Sequence, residues 1–239
     1  GLPPLFQAKT FYNEATGSYS TALGKANLAS GLGATAIGNY AWATGNYSAS
    51  IGYGTYARSL GSFVVGRYNE VAGDSLTWVA GDPLLVVGNG TNSTSRNNAL
   101  TILKNGNVGI GTSNPKSTLA VNGTVTASAY STSSDASFKE NIREIENPLE
   151  VIGSLRGVGF DFRQEEYPGY RFPEGRHYGV IAQELETVLP DMVQTNGKGE
   201  KSVTYDELIP ILLEAVKEQQ QQIKALQTEV EKLKETQKK

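Results

Sequence analysis

Glycine falls at positions 17, 24, 31, 38, 45, 52, 66 and 73, one every seven residues, with Ser59 in the one place where the series skips. A finer repeat of fourteen runs through the same stretch: Ala22, Ala36, Ser50 and Val64 are in phase, as are Leu23, Ile37, Ile51 and Val65, and Ala29, Ala43, Ala57 and Val71. Each fourteen-residue unit reads as two short strands of alternating residues with a turn at each glycine, where positive φ costs little. Units this short cannot enclose a core singly; stacked, they pair as parallel strands with small residues turned inward. The expectation is a β-solenoid or β-roll over roughly residues 14 to 73. A glycine period of seven rather than three excludes collagen, and a flexible Gly/Ser linker would leave Leu23, Ile37, Ile51 and Val65 without a phase.

At these residues, for example GATAIGNYAWATG at 33 to 45, the chain resembles the head repeats of trimeric autotransporter adhesins. That resemblance implies a left-handed parallel β-roll with three chains side by side. Aromatic residues on such a surface, here Tyr40, Trp42, Tyr47, Tyr53 and Tyr56, are either stacking ladders or contacts for a host-surface receptor or glycan.

After the repeats, residues 76–81, 84–88 and 99–111 read as strands, the last containing an Asn-Gly turn. The Gly106, Gly109, Gly111 cluster lacks the following helix that a dinucleotide loop requires, and Asn114-Pro115 interrupts instead. Sequons at Asn89, Asn92 and Asn122 are what an Asn/Ser/Thr-rich segment yields by chance.

Composition excludes several function classes. Residues 1–133 carry seven Lys or Arg against four acids, and the remainder fourteen against twenty, so neither part has the basic excess of a nucleic-acid binder. No apolar run approaches the ~20 residues needed to span a bilayer. With no cysteine there are no disulfides, thiolate metal sites or cysteine nucleophiles. The single histidine, His177, argues against a His-rich metal site or a serine–histidine–aspartate triad, and no cofactor is implied.

From residue 209 onward apolar residues return every third or fourth position: Ile209, Leu212, Val216, then Gln219, then Ile223, Leu226, Val230 and Leu233, with Glu, Lys and Gln between. This is a coiled-coil heptad seam. Leu208, Ile211 and Leu213 widen the stripe at its start, so the helix begins in a globular part and runs outward into an oligomer. Pro210 suits the first turn, with Asp206 as cap. β-branched residues at the first seam position with Leu at the second lean towards two strands, and Gln219 with the adhesin-like repeats towards three; three are expected, because a β-roll of the adhesin kind and a coiled coil must share one symmetry axis.

Residues 134–205 read as a compact mixed domain, with a helix near 139–155, strands at 158–162 and 177–183, and a short helix at 183–189. At its start stands SSDASFKENI, 133–142. If the chain turns near Ala136, the Lys139 amine can fold back onto the Ser134 hydroxyl. A serine becomes a nucleophile when a base takes its proton, and a lysine serves only when desolvation lowers its pKa; Ser/Lys pairs dispense with histidine in this way. On spacing alone, Ser134 or Asp135 as a helix cap explains the same residues.

SSDASFKENI, GFDF at 159–162, HYGVIAQELETVLPDMV at 177–193 and VTYDELIPILLEAVKEQ at 203–219 together are similar to the intramolecular chaperone of phage tailspikes, tail fibres and neck appendages. The same module occurs in some bacterial surface proteins and in a membrane-bound transcription factor of the myelin regulatory type. NGNVGIGTSNPKSTLAVNG at 105–123 looks like the segment that leads into it. The resemblance implies a chaperone that drives trimer assembly of the part before it and then cuts itself away before the dyad serine. Ser134 would be the nucleophile, Lys139 the general base, Ser133-Ser134 the scissile bond, Asp135 an orienting or capping residue, and His177 a structural or supporting one.

The expected organisation is a mainly β amino-terminal part, with adhesin-head-like repeats at 1–75 and a β-rich connector at 76–133. An α+β chaperone domain follows at 134–205, then a coiled-coil helix at 206–239. The expected function is a homotrimeric fibre or tailspike of a virion, alternatively of a bacterial surface, that processes itself as a single-turnover serine peptidase. The alternative is a structural or adhesive trimer whose last module only oligomerises. A transcription factor released by cleavage would need a basic DNA-binding region and a membrane span.

Overall fold

The computed structural model of this chain describes residues 12–196 and 199–237; the expected segments at 1–11, 197–198 and 238–239 lie outside the described residues. The chain forms two compact units. One runs to Thr126 and includes Gln164–Pro173, and the other holds Ala127–Arg163 and the residues from Glu174 on.

The first unit is the expected solenoid. Each coil contributes a long and a short strand: β1 Glu14–Ala15, β2 Thr21–Lys25, β3 Leu28–Ala29, β4 Thr35–Asn39, β5 Trp42–Ala43, β6 Ala49–Tyr53, β7 Tyr56–Ala57 and β8 Phe63–Arg67. The short strands β1, β3, β5 and β7 pair in one sheet and the long ones in another. All are parallel and in register, Ala22 on Ala36 on Ser50 on Val64. Side chains alternate across a strand, so this row turns inward and is buried from Ala36 onward, while Leu23, Ile37, Ile51 and Val65 take the opposite face. The interior is thin: Ala29, Ala34, Ala36 and Ala43 pack as one cluster, and Ala57, Val64 and Val86 as another. Buried Asn27 links coils, its Nδ2 donating to Leu23 O and Gly38 O while its Oδ1 accepts from Ala41 N.

The glycines do a different task from the one expected. Gly24, Gly38, Gly52 and Gly66 lie inside strands, with φ between +103° and +135°. A Cβ on Gly24, Gly38 or Gly52 would stand 2.0 Å from the carbonyl oxygen of the next coil. Gly17 and Gly31 are barred in the same way by Gly31 O and Gly45 O, at 2.0 and 2.1 Å. Stacking distance, rather than the turn, demands glycine there. The left-handed turn positions recur at 19, 33, 47 and 61 and at 26, 40, 54 and 68, and several carry side chains: Tyr19, Ala26, Tyr40, Tyr47 and Tyr68.

Residues 76–81 form a loop, not the expected strand. Asp74 Oδ1 accepts from Leu76 N and Thr77 N at 2.8 and 2.7 Å, an Asx-type turn that takes the backbone donors a strand would use. The loop leaves Leu76, Trp78 and Val79 exposed. The ladder then resumes with β9 (Pro83–Asn89) parallel to β8, followed by β10 (Asn98–Leu103) antiparallel to it, β11 (Val108–Ile110) and β12 (Leu119–Val121). Past β12, Asn122 Nδ2 donates to Gly169 O at 2.8 Å and Asn122 Oδ1 accepts from Arg171 N at 3.2 Å.

The second unit has α1 (Pro148–Ser154), the hairpin β13 (Gly157–Phe160) with β14 (His177–Val180), α2 (Ala182–Val188), the hairpin β15 (Val193–Thr195) with β16 (Lys201–Val203), and α3 (Leu208–Thr236). Its core is Leu185, Met192 and Ile211, with Val151, Ile152, Leu155, Val180, Val193 and Val203 packed around them. The helix expected near 139–155 is shorter. Pro148 disfavours a helical residue before it, and Asn147 is left-handed at φ 49°, so the helix starts at Pro148 and Ile142 stays exposed. Asp206 is not the cap of α3: it lies in the 3-10 turn Tyr205–Glu207 that leads into the helix, and no side chain caps the start. Along α3, Ile211 and Ala215 are buried, whereas Leu212, Val216, Ile223, Leu226, Val230 and Leu233 are 41% to 62% exposed. The heptad seam is an apolar stripe without a covering element in the single chain.

Candidate self-cleavage site

The seam between the repeats and the helical part is a single turn. Asp135 is extended, and its Oδ1 accepts from Ser137 N at 2.8 Å and from Ser137 Oγ at 2.7 Å. These bonds nucleate the 3-10 turn Ala136–Phe138, closed by Phe138 N to Asp135 O and Lys139 N to Ala136 O, both 3.1 Å. A turn of about three residues between them brings positions 134 and 139 to the same side. Lys139 leaves the turn extended, and its Nζ donates to Ser134 Oγ at 2.8 Å.

Hydrogen bonds from Ser137, the side-chain one first, hold the Asp135 carboxyl below the ordinary aspartate range. Asp135 is therefore a carboxylate at neutral pH. It orients the turn and makes no bond to either member of the Ser134–Lys139 pair among the described contacts. Ser137 is the residue that sequence reading missed. Its signal was present, since Asp-Ala-Ser places a hydroxyl and an amide two residues after an aspartate, the spacing of an Asx turn.

Every residue from Gly123 to Asn147 is exposed, Ser133, Ser134 and Lys139 included. His177 lies elsewhere, in β14, with its ring 5.1 Å from that of Phe162 and 5.9 Å from that of Phe160. Its Nε2 is buried and makes no hydrogen bond. The turn thus gathers Ser133, Ser134, Asp135, Ser137 and Lys139, and His177 belongs to the packing of the β13–β14 hairpin. Among the described residues no group of three His, Cys, Asp or Glu is placed to hold a metal ion, and no helix is long and apolar enough to cross a membrane.

Residues 134–194 match the family described as chaperone of endosialidase, a match that begins at the serine held by Lys139. Residues 15–41 and 29–55 match two copies of the YadA head domain repeat. The chain therefore joins a solenoid that matches YadA head repeats to a segment that matches the endosialidase-chaperone family. Among curated proteins it is similar to the long tail fiber protein Gp37 of Enterobacteria phage K3, at 36% identity over 101 residues covering 41% of this chain and 8% of that protein. The Gp37 of Enterobacteria phage T2 is also 36% identical over 101 residues, 41% of this chain and 7% of its own length. That of Salmonella phage S16 is 28% identical over 109 residues, 43% and 14%. The chain thus matches under a sixth of the length of these relatives.

Proposed function

We propose that this chain is part of a trimeric phage tail fibre, in which the segment from Ser134 on gathers three chains, lets the solenoid fold, and then severs itself from it at Ser133-Ser134. The observation that carries the reading is the 2.8 Å hydrogen bond from Lys139 Nζ to Ser134 Oγ at the first residue of the chaperone-family match. The likeness to tail fibre proteins supports a place on the virion tail, where the exposed face of the repeats would meet a host-surface receptor or glycan.

The physical case has two parts. A parallel solenoid built from three chains depends on contacts distant in sequence or between chains, so a preformed trimer lowers the entropic cost of nucleation. The exposed seam of α3 supplies an apolar stripe that other copies can cover at coiled-coil spacing. Catalysis then needs a neutral amine beside the hydroxyl. Burial disfavours a charged amine, so removal of water from the turn by neighbouring copies would convert the hydrogen-bonded pair into a nucleophile and base. On this reading assembly precedes cutting. Cutting afterwards removes the route back, and the fibre persists through its barrier to unfolding.

The test is a denaturing gel with intact-mass measurement on purified protein. Wild type should yield a fragment beginning at Ser134, while Ser134→Ala and Lys139→Ala stay full length and still sediment as trimers. A single full-length band from wild type after prolonged incubation would leave a trimer whose last module only oligomerises, and spontaneous cleavage of either variant would refute the dyad.

A further inference from the structure

Three aromatic rings stand along one edge of the solenoid where the fold of the repeats does not call for them. The turns that precede β2, β4, β6 and β8 carry Tyr19, Gly33, Tyr47 and Gly61 at their left-handed position, all with φ between 56° and 65°. Glycine takes that conformation freely and tyrosine does not, yet Tyr19 and Tyr47 are both exposed and recover little of the strain through burial. The Tyr47 ring lies against the glycine of the preceding coil, since a Cβ on Gly33 would stand 3.0 Å from its Cδ1. Gly61, the next glycine of the row, is met by a ring from the loop after β8: Trp78 Cζ3 would be 3.9 Å from a Cβ there. At the turn on the other edge Tyr68 also has positive φ, but its ring is engaged by Tyr53 and by the guanidinium groups of Arg67 and Arg96.

Trp78 is exposed and nevertheless fixed. Lys104 Nζ lies 4.6 Å from its ring centroid, a buried amine without a hydrogen-bond partner among the described residues, for which the indole face is the compensating contact. Both ends of the loop are tied down, by Leu60 N to Asp74 O at 2.8 Å and Asn46 N to Ser75 O at 3.0 Å on one side, and by Lys104 N to Asp82 O at 2.9 Å and Asn105 N to Ala80 O at 2.8 Å on the other. A ring braced on one face and open elsewhere is preorganised for a ligand that offers a flat apolar face.

We infer that Tyr19, Tyr47 and Trp78 form a track for a neutral, β-linked glycan lying along the solenoid axis. Neighbouring strands of a sheet are about 4.8 Å apart, so Tyr19 and Tyr47, two coils apart, recur at about 10 Å. In a chain of equatorially linked pyranoses successive sugars are flipped, and the same apolar C–H face returns at every second sugar, a repeat of closely similar length. Each such face can stack on one ring while the hydroxyls at its rim stay in water. An α-linked chain coils and cannot follow a straight row. Residues 18–20, 32–34, 46–48 and 60–62 hold no charged side chain, so these turns carry nothing that selects an acidic sugar. This assignment rests on the reading of the repeats as a host-contact surface and gives that contact a chemical class.

The test is titration calorimetry of the full chain, as Ser134→Ala, against cellohexaose and chitohexaose, with their disaccharides and the α-linked maltohexaose for comparison, and sedimentation of every variant. The expected result is binding of a β-linked hexasaccharide, weaker by about tenfold or more for its disaccharide, which reaches one ring only, and for maltohexaose. Trp78→Ala and Tyr47→Gly should each lower the affinity for the hexasaccharide by about tenfold or more without changing the oligomer. Glycine already occupies the Tyr47 position in the coils on either side, at Gly33 and Gly61, so Tyr47→Gly removes the ring and keeps the turn. Undiminished binding by both variants, or equal affinity for disaccharide and hexasaccharide, overturns the track and leaves the host-contact reading standing. A smaller oligomer for Trp78→Ala shows that the loop packs against another copy and overturns the track as well. If none of the hexasaccharides binds, the track is overturned, and an array of acidic glycans run on the same protein then decides the host-contact reading separately.

Discussion

Gly52→Ala should damage the solenoid far more than a methyl group ordinarily would, and the structure sets the size of the effect. Gly52 lies in β6 at φ +135°, and a Cβ there would stand 2.0 Å from Gly66 O and 3.0 Å from Gly66 C. Neither atom is the end of a flexible side chain, so relief requires β6 and β8 to separate by about an ångström where Gly52 pairs with Gly66. A backbone conformation of this kind costs an L residue about 1–3 kcal/mol, and overpacking a tight site costs about 1–3 kcal/mol more. The expected loss is therefore ~2–6 kcal/mol, a large part of the 5–15 kcal/mol of a typical domain. Gly61→Ala is the matched control. Its φ is +65° and its nearest foreign atom is Trp78 Cζ3 at 3.9 Å, and Tyr47 occupies the equivalent turn position one coil earlier at φ 56°. Only the left-handed cost of about 1–2 kcal/mol remains. Denaturant unfolding of both variants, in the Ser134→Ala background and at equal protein concentration, compares them directly. If Gly52→Ala unfolds at the same midpoint as Gly61→Ala, the glycine ladder is not a stacking requirement.

Two further expectations follow from the same geometry. Aspartate at Leu226 and Val230 together should convert the proposed trimer into monomers by sedimentation, yet leave the Leu185–Met192–Ile211 core folded, because both side chains are exposed in the single chain; an unchanged oligomer would show that the α3 seam is not the interface. The Asp74 carboxyl is held below the ordinary aspartate range by hydrogen bonds from Leu76 N, then Thr77 N and the Thr77 side chain. The loop therefore keeps this contribution at every pH above the unfolded aspartate value, about 3.9, and loses it as pH falls through the lower folded value. Trp78 fluorescence in a Trp42→Phe chain should change below that value, and a transition centred at or above it would contradict the turn.

What the sequence disclosed and what it hid follow from the range of the interactions involved. In-register parallel stacking forces position i and position i+14 into the same environment, so the phase of Ala22, Ala36, Ser50 and Val64 could be read directly, and so could the inward row. The reason for the glycines could not, because it lies in the approach of Gly66 O to Gly52 from another coil, a contact that appears only once the coils are stacked. Local backbone effects misled twice. Asp74 withdrew the backbone donors of a segment with a strand's composition, and Asn147 with Pro148 delayed a helix whose Ile142 and Ile145 are spaced as if already in it. In the seam, the five-residue spacing of Ser134 and Lys139 indicated that they could meet, but their approach depends on Ser137 closing on Asp135, a polar pair that carries no periodic signal.

The repeat also gives a physical reason for the proposed helper of different construction. Within one chain the coils are ordered by covalent succession. Between chains of a trimer they are not: Leu23, Ile37, Ile51 and Val65 present nearly the same face at every fourteenth residue, so one chain offset by a whole coil would lose only the contacts at the two ends. Such an offset is a shallow trap rather than a clash, and a repetitive surface has little means of rejecting it. In the proposed coiled coil the seam of α3 would reject it, because its apolar run is interrupted once, at Gln219; sliding one helper by a heptad would set that amide against apolar neighbours, the arrangement by which a single polar position fixes register in coiled coils. On this proposal the non-repeating end would determine the alignment that the repeating part can only propagate, and after β2 to β8 had stacked in that alignment the information would be held in the solenoid itself. A bond cut at Ser133 would then remove the helper without removing the register it imposed.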